Sequence, residues 1–252
     1  MAIKSLMIFL LSFLAYSQEG QLYSESTLQR NQKKNLIVDT KLSQFIFKES
    51  KWGRPYLFFR EALDTKSKTS ENLIYNENYY FFGPGFINKT LIPFSQIFVE
   101  AGFIDHVKGL YSNESHFEYR AGLTFWYEHS FFDLPIHYAL ASENYAEGIG
   151  RFNEEKNIVA TFFTRLLLKQ ITERPYALDF YLSPRFMTDT QKIDYNRKFE
   201  FDQGLRGRYH FKMWYGQLYF YHTDGRYLHK TALNPNQTYS DWRMLFAFGG
   251  SW

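Results

Sequence analysis

The sequence predicts an all-β chain, closed into a transmembrane antiparallel up-and-down β-barrel of about 10–12 strands. Three observations predict it. Side chains alternate between apolar and polar over most of the chain, the alternating segments are long, and the connections between them are long and short in turn.

Alternation comes first because a strand turns successive side chains to opposite faces. From Phe117 to Glu128, one face reads Phe117, Tyr119, Ala121, Leu123, Phe125 and Tyr127. The other reads Glu118, Arg120, Gly122, Thr124, Trp126 and Glu128. The same grammar sets Leu178, Phe180, Leu182 and Phe186 against Asp179, Tyr181, Ser183 and Arg185. It sets Phe199, Phe201, Leu205, Tyr209 and Phe211 against Glu200, Asp202, Arg206, Arg208 and His210. Trp214, Leu218 and Phe220 oppose Tyr215, Gln217, Tyr219 and Tyr221. Trp242, Met244, Phe246, Phe248 and Trp252 oppose Asp241, Arg243, Ala247 and Ser251. Weaker alternation runs through Ile97–Ile104, Leu134–Glu143 and Ile158–Leu168, while Pro55–Asp64 and Ile74–Gly83 are strand-like but less cleanly two-sided.

Length then separates a barrel from a soluble sandwich. Several segments reach about ten residues, which a tilted strand needs to cross the hydrocarbon layer. One face is crowded with aromatic residues, as in interfacial girdles, and the other carries Glu, Asp and Arg in mid-strand. The connections expected to be long lie near 65–73, 107–115, 144–156, 187–197 and 223–238. Those expected to be short lie near 84–93, 129–133, 171–175 and 211–213. Outer-membrane barrels have short periplasmic turns and longer external loops, so both termini are expected on the periplasmic side. Counting from Arg54 gives about ten strands. Gln44–Lys48 is a candidate for one more, and Gln29–Lys34 is too polar to be its obvious partner.

Three regions are therefore expected. Residues 1–17 have the layout of a secretory signal: Lys4, an apolar run from Leu6 to Leu14, and small residues at Ala15 and Ser17. Residues 18–53 read as a periplasmic segment, a lumen plug or the first strands, and 54–252 as the barrel. The chain has 27 Phe, 20 Tyr and no Cys, so neither disulfides nor lipid attachment through a cysteine enters the argument. A formal net charge of +3 with both signs mixed along the chain offers no basic stripe for nucleic acid. The expected location is the bacterial outer membrane, with its lipids and the barrel-assembly machinery as partners.

Several short runs resemble the C-terminal domain of the bacteriophage adsorption protein A family. They are Met187-Thr-Asp-Thr-Gln-Lys-Ile-Asp-Tyr-Asn-Arg-Lys-Phe-Glu-Phe, Gly204-Leu-Arg, Gly225-Arg-Tyr-Leu and Asp241-Trp-Arg. Arg54-Pro-Tyr-Leu-Phe and Tyr75-Asn-Glu-Asn-Tyr resemble the opening of that domain, so the likeness covers roughly 54–252. It implies a porin-like cell-surface barrel associated with surface-polysaccharide export and used by phage as a receptor. Members of that family carry long helical repeats before the barrel. This sequence shows no such repeats, so an export role would call for a separate periplasmic partner.

The chemistry on the inward face consists of carboxylates, arginines and tyrosines. The lumen-lining candidates are Glu118, Arg120, Arg165, Asp179, Tyr181, Arg185, Glu200, Asp202, Arg206, Arg208, Tyr215, Tyr219, Tyr221, Asp241 and Arg243. These residues either line a polar conduit, with tyrosines stacking on sugar rings, or fill a narrow barrel with salt bridges. Two catalytic alternatives are weaker. Asp105 with His106 and His222 with Asp224 fall at the expected outer rim, where an imidazole beside a carboxylate can activate water. His129-Ser130 is a lipase-like pair in an expected periplasmic turn, with no third residue to orient it. No cofactor is expected and no histidine pair has a metal-ligand spacing. Gly83-Pro-Gly85 and Gly249-Gly250 read as turn geometry and close strand packing rather than as a phosphate loop.

Overall fold

A computed structural model describes residues 19–29, 35–64, 77–90, 95–106, 116–134, 138–152, 156–170, 175–191, 197–228 and 238–251. They form one closed antiparallel barrel of twelve strands. In chain order these are β1 (Gly20–Gln29), β2 (Asn35–Phe45), β3 (Gly53–Asp64), β4 (Glu77–Asn88), β5 (Ser95–His106) and β6 (His116–Leu134). They continue as β7 (Tyr138–Arg151), β8 (Asn157–Gln170), β9 (Tyr176–Asp189), β10 (Lys198–Phe211), β11 (Trp214–Tyr227) and β12 (Thr238–Ser251). Each strand pairs with its sequence neighbours, and β1 closes the ring against β12 from Gln21↔Ser251 to Gln29↔Arg243. Closure leaves no unpaired sheet edge, which is what a sheet needs to stand in hydrocarbon.

The ring begins at Gly20, so residues 20–45 supply the first two strands rather than a tail or plug. Of the polar run Gln29–Lys34 only Gln29 is among the described residues, as the last residue of β1, and β1 is itself the partner of β2. β1 itself gave little signal because both of its faces are polar: Ser24 and Ser26 alternate with Glu25 and Thr27. The expected signal segment 1–17 and the terminal Trp252 lie outside the described residues.

Several strands run further than their polarity suggests. β7 continues through Asn144–Arg151, β9 to Asp189 and β11 to Tyr227, so the expected long connections at 144–156, 187–197 and 223–238 are shorter. β6 continues through 129–133, which removes the expected turn there and puts His129 and Ser130 in a strand, opposite Ser142 and Ala141. β4 runs through the expected connection as far as Asn88, so Gly83-Pro-Gly85 lies in mid-strand and forms no turn. The common reason is that polar residues at a strand end resemble a loop when their partners stand on other strands.

Two mid-strand prolines leave marks on the ladder. Pairing of β4 with β5 passes from Phe82↔Ala101 to Gly85↔Phe98, skipping Pro84. Pairing of β8 with β9 passes from Phe163↔Arg185 to Leu166↔Leu182, skipping Pro184. Each proline lacks the N–H its neighbour would accept, and each keeps its register on the opposite side.

The outward face is apolar and aromatic. Phe103, Phe220, Phe246 and Trp242 are exposed there, while Glu118, Asp179 and Glu200 on the inward face are at most 2% exposed. Inside, glycines make room for rings, Gly85 and Gly122 among them. A Cβ on Gly85 would stand 2.3 Å from the ring of Tyr56, and one on Gly122 would stand 2.1 Å from the ring of Phe98. Tyr56 and Phe98 are the cross-strand partners of those glycines, so each ring lies flat over bare backbone. Gly122→Ala is expected to cost about 1–3 kcal/mol through this overlap. A urea titration of the folded barrel would show it as a lowered midpoint, and Phe98→Leu in the same chain should restore part of the loss.

Candidate functional site: the charged lumen

The inward side chains gather into three ionic groups. The first lies towards the loop end, opposite the end that holds the chain termini. Glu200 on β10 accepts hydrogen bonds from the Tyr239 hydroxyl at 2.6 Å, Arg243 Nη2 at 3.2 Å and Lys198 Nζ at 3.3 Å. Arg185 reaches Glu200 and Asp202, each at 3.6 Å. Thr223 donates to Asp202 at 2.6 Å, and Arg243 pairs with Asp241 at 3.5 Å.

The second group crosses the interior. Arg206 on β10 donates from Nε to Asp179 on β9 at 2.7 Å and from Nη1 to Glu143 on β7 at 3.1 Å. Arg208 donates to the other oxygen of Asp179 at 3.1 Å, and Arg165 on β8 donates to Glu143 at 2.6 Å. A contact from β10 to β7 spans a chord of the barrel. Beside it, Leu167, Tyr181, Tyr219, Tyr221 and Ala247 form one buried cluster drawn from β8, β9, β11 and β12. Ring centroids of Tyr181 lie 6.1 Å from Tyr219 and 6.4 Å from Tyr221, and the Arg165 guanidinium lies 5.2 Å from the Tyr181 centroid and 5.5 Å from that of Tyr219.

The third group lies on the far wall. Glu118 accepts from Arg120 at 2.7 Å and from both Nε and Nη2 of Arg151 at 2.8 Å. Glu100 on β5 is 3% exposed and stands 3.6 Å from Arg60 and 3.9 Å from Arg120. The Arg120 guanidinium also lies 4.1 Å from the centroid of Phe81.

The fifteen lumen-lining candidates stand on the inward face; Glu118 pairs with Arg120 and Asp241 with Arg243 along one strand, but Asp179 and Arg185 do not pair. Asp179 binds Arg206 and Arg208, and Arg185 turns instead to Glu200 and Asp202. Tyr215 belongs to none of the ionic groups; its ring covers Gly249, whose Cβ position would lie 2.5 Å from the Tyr215 hydroxyl. Residues that the alternation did not single out complete the networks: Arg60, Tyr79, Glu100, Glu143, Arg151, Lys198 and Tyr239. Glu100 and Glu143 were detectable as lone carboxylates within weakly alternating segments. Their roles required knowledge of which strands face each other.

The rim residues are not brought together. β5 and β11 stand six strands apart, on opposite sides of the ring, and the side chains of Asp105 and His106 lie outside those described. On β11, His222 Nε2 lies 3.2 Å from Asp224 Oδ1 and 3.0 Å from Ser240 Oγ, against the ring of Trp242. Both contacts fall on one nitrogen, and Nδ1 has no hydrogen-bond partner among the described residues. A relay needs the carboxylate on one ring nitrogen and the hydroxyl on the other, so this trio holds no oriented nucleophile. His129, on the opposite rim, lies 3.3 Å from the Tyr127 hydroxyl and stacks on that ring.

LpxR from Salmonella typhimurium superposes with a TM-score of 0.50 at 8% identity, covering 90% of this chain and 99% of that one. The fold is that of an outer-membrane β-barrel. The KdgM porin matches with a TM-score of 0.42 at 11% identity over 92% of this chain and 99% of its own. The β-domain of the Bordetella autotransporter BrkA matches at 0.46 and 8% identity, over 92% and 97%. No protein-family model and no curated protein matches the chain. At such identities the likeness of this outer-membrane barrel to its neighbours is one of fold alone.

Proposed function

We propose that this chain is an outer-membrane barrel of a Gram-negative cell that passes an extended surface glycan, working with a separate periplasmic export partner. The observation that carries the reading is the division of chemistry between the two faces. The aromatic outer face suits anchoring in outer-membrane lipid after insertion by the barrel-assembly machinery. The inner face is lined by fixed charges and hydroxyls, which suit a hydrated, polyhydroxylated chain better than an apolar cargo. The C-terminal runs that resemble the adsorption protein A family support the glycan class.

A second reading is favoured by the Arg206–Glu143 contact across the lumen: a filled barrel whose loops serve as a surface receptor, the use phage make of such proteins. Conductance in planar bilayers separates the two. For a conduit, the wild type is expected to give small current steps, and Arg206→Ala with Glu143→Ala to enlarge them. Silence from both proteins would remove the conduit and leave the receptor.

A further inference from the structure

We propose that the lumen holds a binding site for a single carboxylate-bearing sugar ring, with Lys41 as the group that recognises its charge. The inference rests on the glycan reading above and adds the charge of the cargo and the place where it is held.

Lys41 on β2 points inward at mid-height. Its Nζ lies 5.0 Å from the ring centroid of Phe58, 5.4 Å from that of Tyr56 and 5.8 Å from that of Phe98. Among the described residues it makes no ion pair and no hydrogen bond. The nearby carboxylates are engaged elsewhere: Glu100 with Arg60 and Arg120, Asp39 with the Tyr79 hydroxyl at 2.7 Å, and Glu147 with the Tyr145 hydroxyl at 2.6 Å. Among the described residues, the three ionic groups of the lumen pair their cations with carboxylates, so an ammonium held only by ring faces is an exception. The rings are fixed in that position, because Tyr56 and Phe98 are the two that lie over Gly85 and Gly122.

Beside Lys41, towards the end that holds the chain termini, is a cavity of about 200 Å³. That is below the roughly 300–1,000 Å³ of drug-sized sites and suits one sugar ring. Its walls combine two chemistries. Tyr23, Phe45 and Tyr56 line it with aromatic rings, apolar surface for the C–H side of a pyranose. Gln21, Ser43 and Gln96 offer amide and hydroxyl groups for its hydroxyls. Gln21 and Ser43 spend no side-chain hydrogen bond on other described residues. Gln96 accepts from Tyr56 at 3.2 Å, which leaves its amide N–H groups free to donate. A neutral sugar would leave Lys41 unanswered, and a simple inorganic anion would leave the rings and amides unused. A hexuronate answers both.

The test is calorimetry on the detergent-folded full chain with sodium glucuronate, glucose and inorganic phosphate as separate titrants. Glucuronate is expected to bind more tightly than either of the others. Lys41→Met, which keeps the packing against the rings, should weaken glucuronate at least about tenfold. Lys41→Arg should retain most of the binding. Heat-modifiable migration on gels confirms that each variant is folded, and if Lys41→Met does not fold, the Lys41→Arg and Ser43→Ala chains carry the comparison, with Ser43→Ala expected to weaken glucuronate. Equal binding of glucose, binding of phosphate as tight as that of glucuronate, absence of glucuronate binding, or a Lys41→Met protein that binds like the wild type would each overturn the site. A barrel that conducts but ignores glucuronate would overturn this inference alone and leave the conduit reading standing.

Discussion

Arg206→Met is expected to lower the unfolding free energy by about 3–5 kcal/mol. The guanidinium holds two carboxylates, Asp179 and Glu143, and the residues at both ends of these bonds are buried. Methionine keeps much of the side-chain volume but removes two charge-assisted hydrogen bonds across the lumen, leaving Asp179 to Arg208 alone and Glu143 to Arg165 alone. Urea unfolding of the barrel in vesicles would measure the loss. Asp179→Asn and Glu143→Gln, added to Arg206→Met, should deepen the loss, because Arg208 and Arg165 would then have no carboxylate. If the single variant is as stable as the wild type, the lumen is wetter than its burial implies and the cross-lumen bridge is dispensable.

Phe220→Arg is expected to cost about 2–4 kcal/mol, because an arginine on the lipid face near mid-strand must be drawn out of water. Phe220 is an outward residue halfway along β11, stacked on Trp242 at 5.0 Å between ring centroids. The informative comparison is Leu228→Arg just beyond the end of β11, where the cost should fall to about 0–1 kcal/mol. Folding equilibria in lipid vesicles would read both. A flat profile, with both positions equally tolerant, would mean that this face does not stand in hydrocarbon.

The architecture was legible where the two faces differ in chemistry and obscure where they do not. β10 and β12 could be read residue by residue, since Phe199, Leu205, Trp242 and Phe246 alternate with Glu200, Arg206, Asp241 and Arg243. β1 was hidden because serines stand on its lipid side and Glu25 and Thr27 on its lumen side, so its polarity carries no period. The ends of β7 and β11 were mistaken for loops for a related reason. Glu147 and Arg151 look solvated in sequence, yet find their surroundings inside the barrel.

The candidate site divides in the same way. Alternation alone places Glu118, Asp179, Arg206 and Arg243 on the inward face. It does not say that Arg206 reaches Glu143 three strands away, because that distance depends on how tightly the sheet curls. Lys41 was invisible for a different reason: its partners are rings on β3 and β5, and no local pattern distinguishes a lysine beside aromatic faces from one beside acids.

The rings lying over Gly85 and Gly122 also bear on how the barrel is assembled. Phe98 fits over Gly122 at one alignment of β5 and β6 only, whereas a two-residue slip of β3 on β4 can set Tyr56 over Gly83 instead of Gly85. A slip of two residues, which preserves the inward and outward faces, would bring Phe98 against Arg120 or Thr124, where a side chain already fills the space. A slip of one residue would turn a whole strand inside out. The β5–β6 hairpin therefore carries its own alignment mark, and one strand sliding against the other during insertion has a place to stop before any loop or partner is in position.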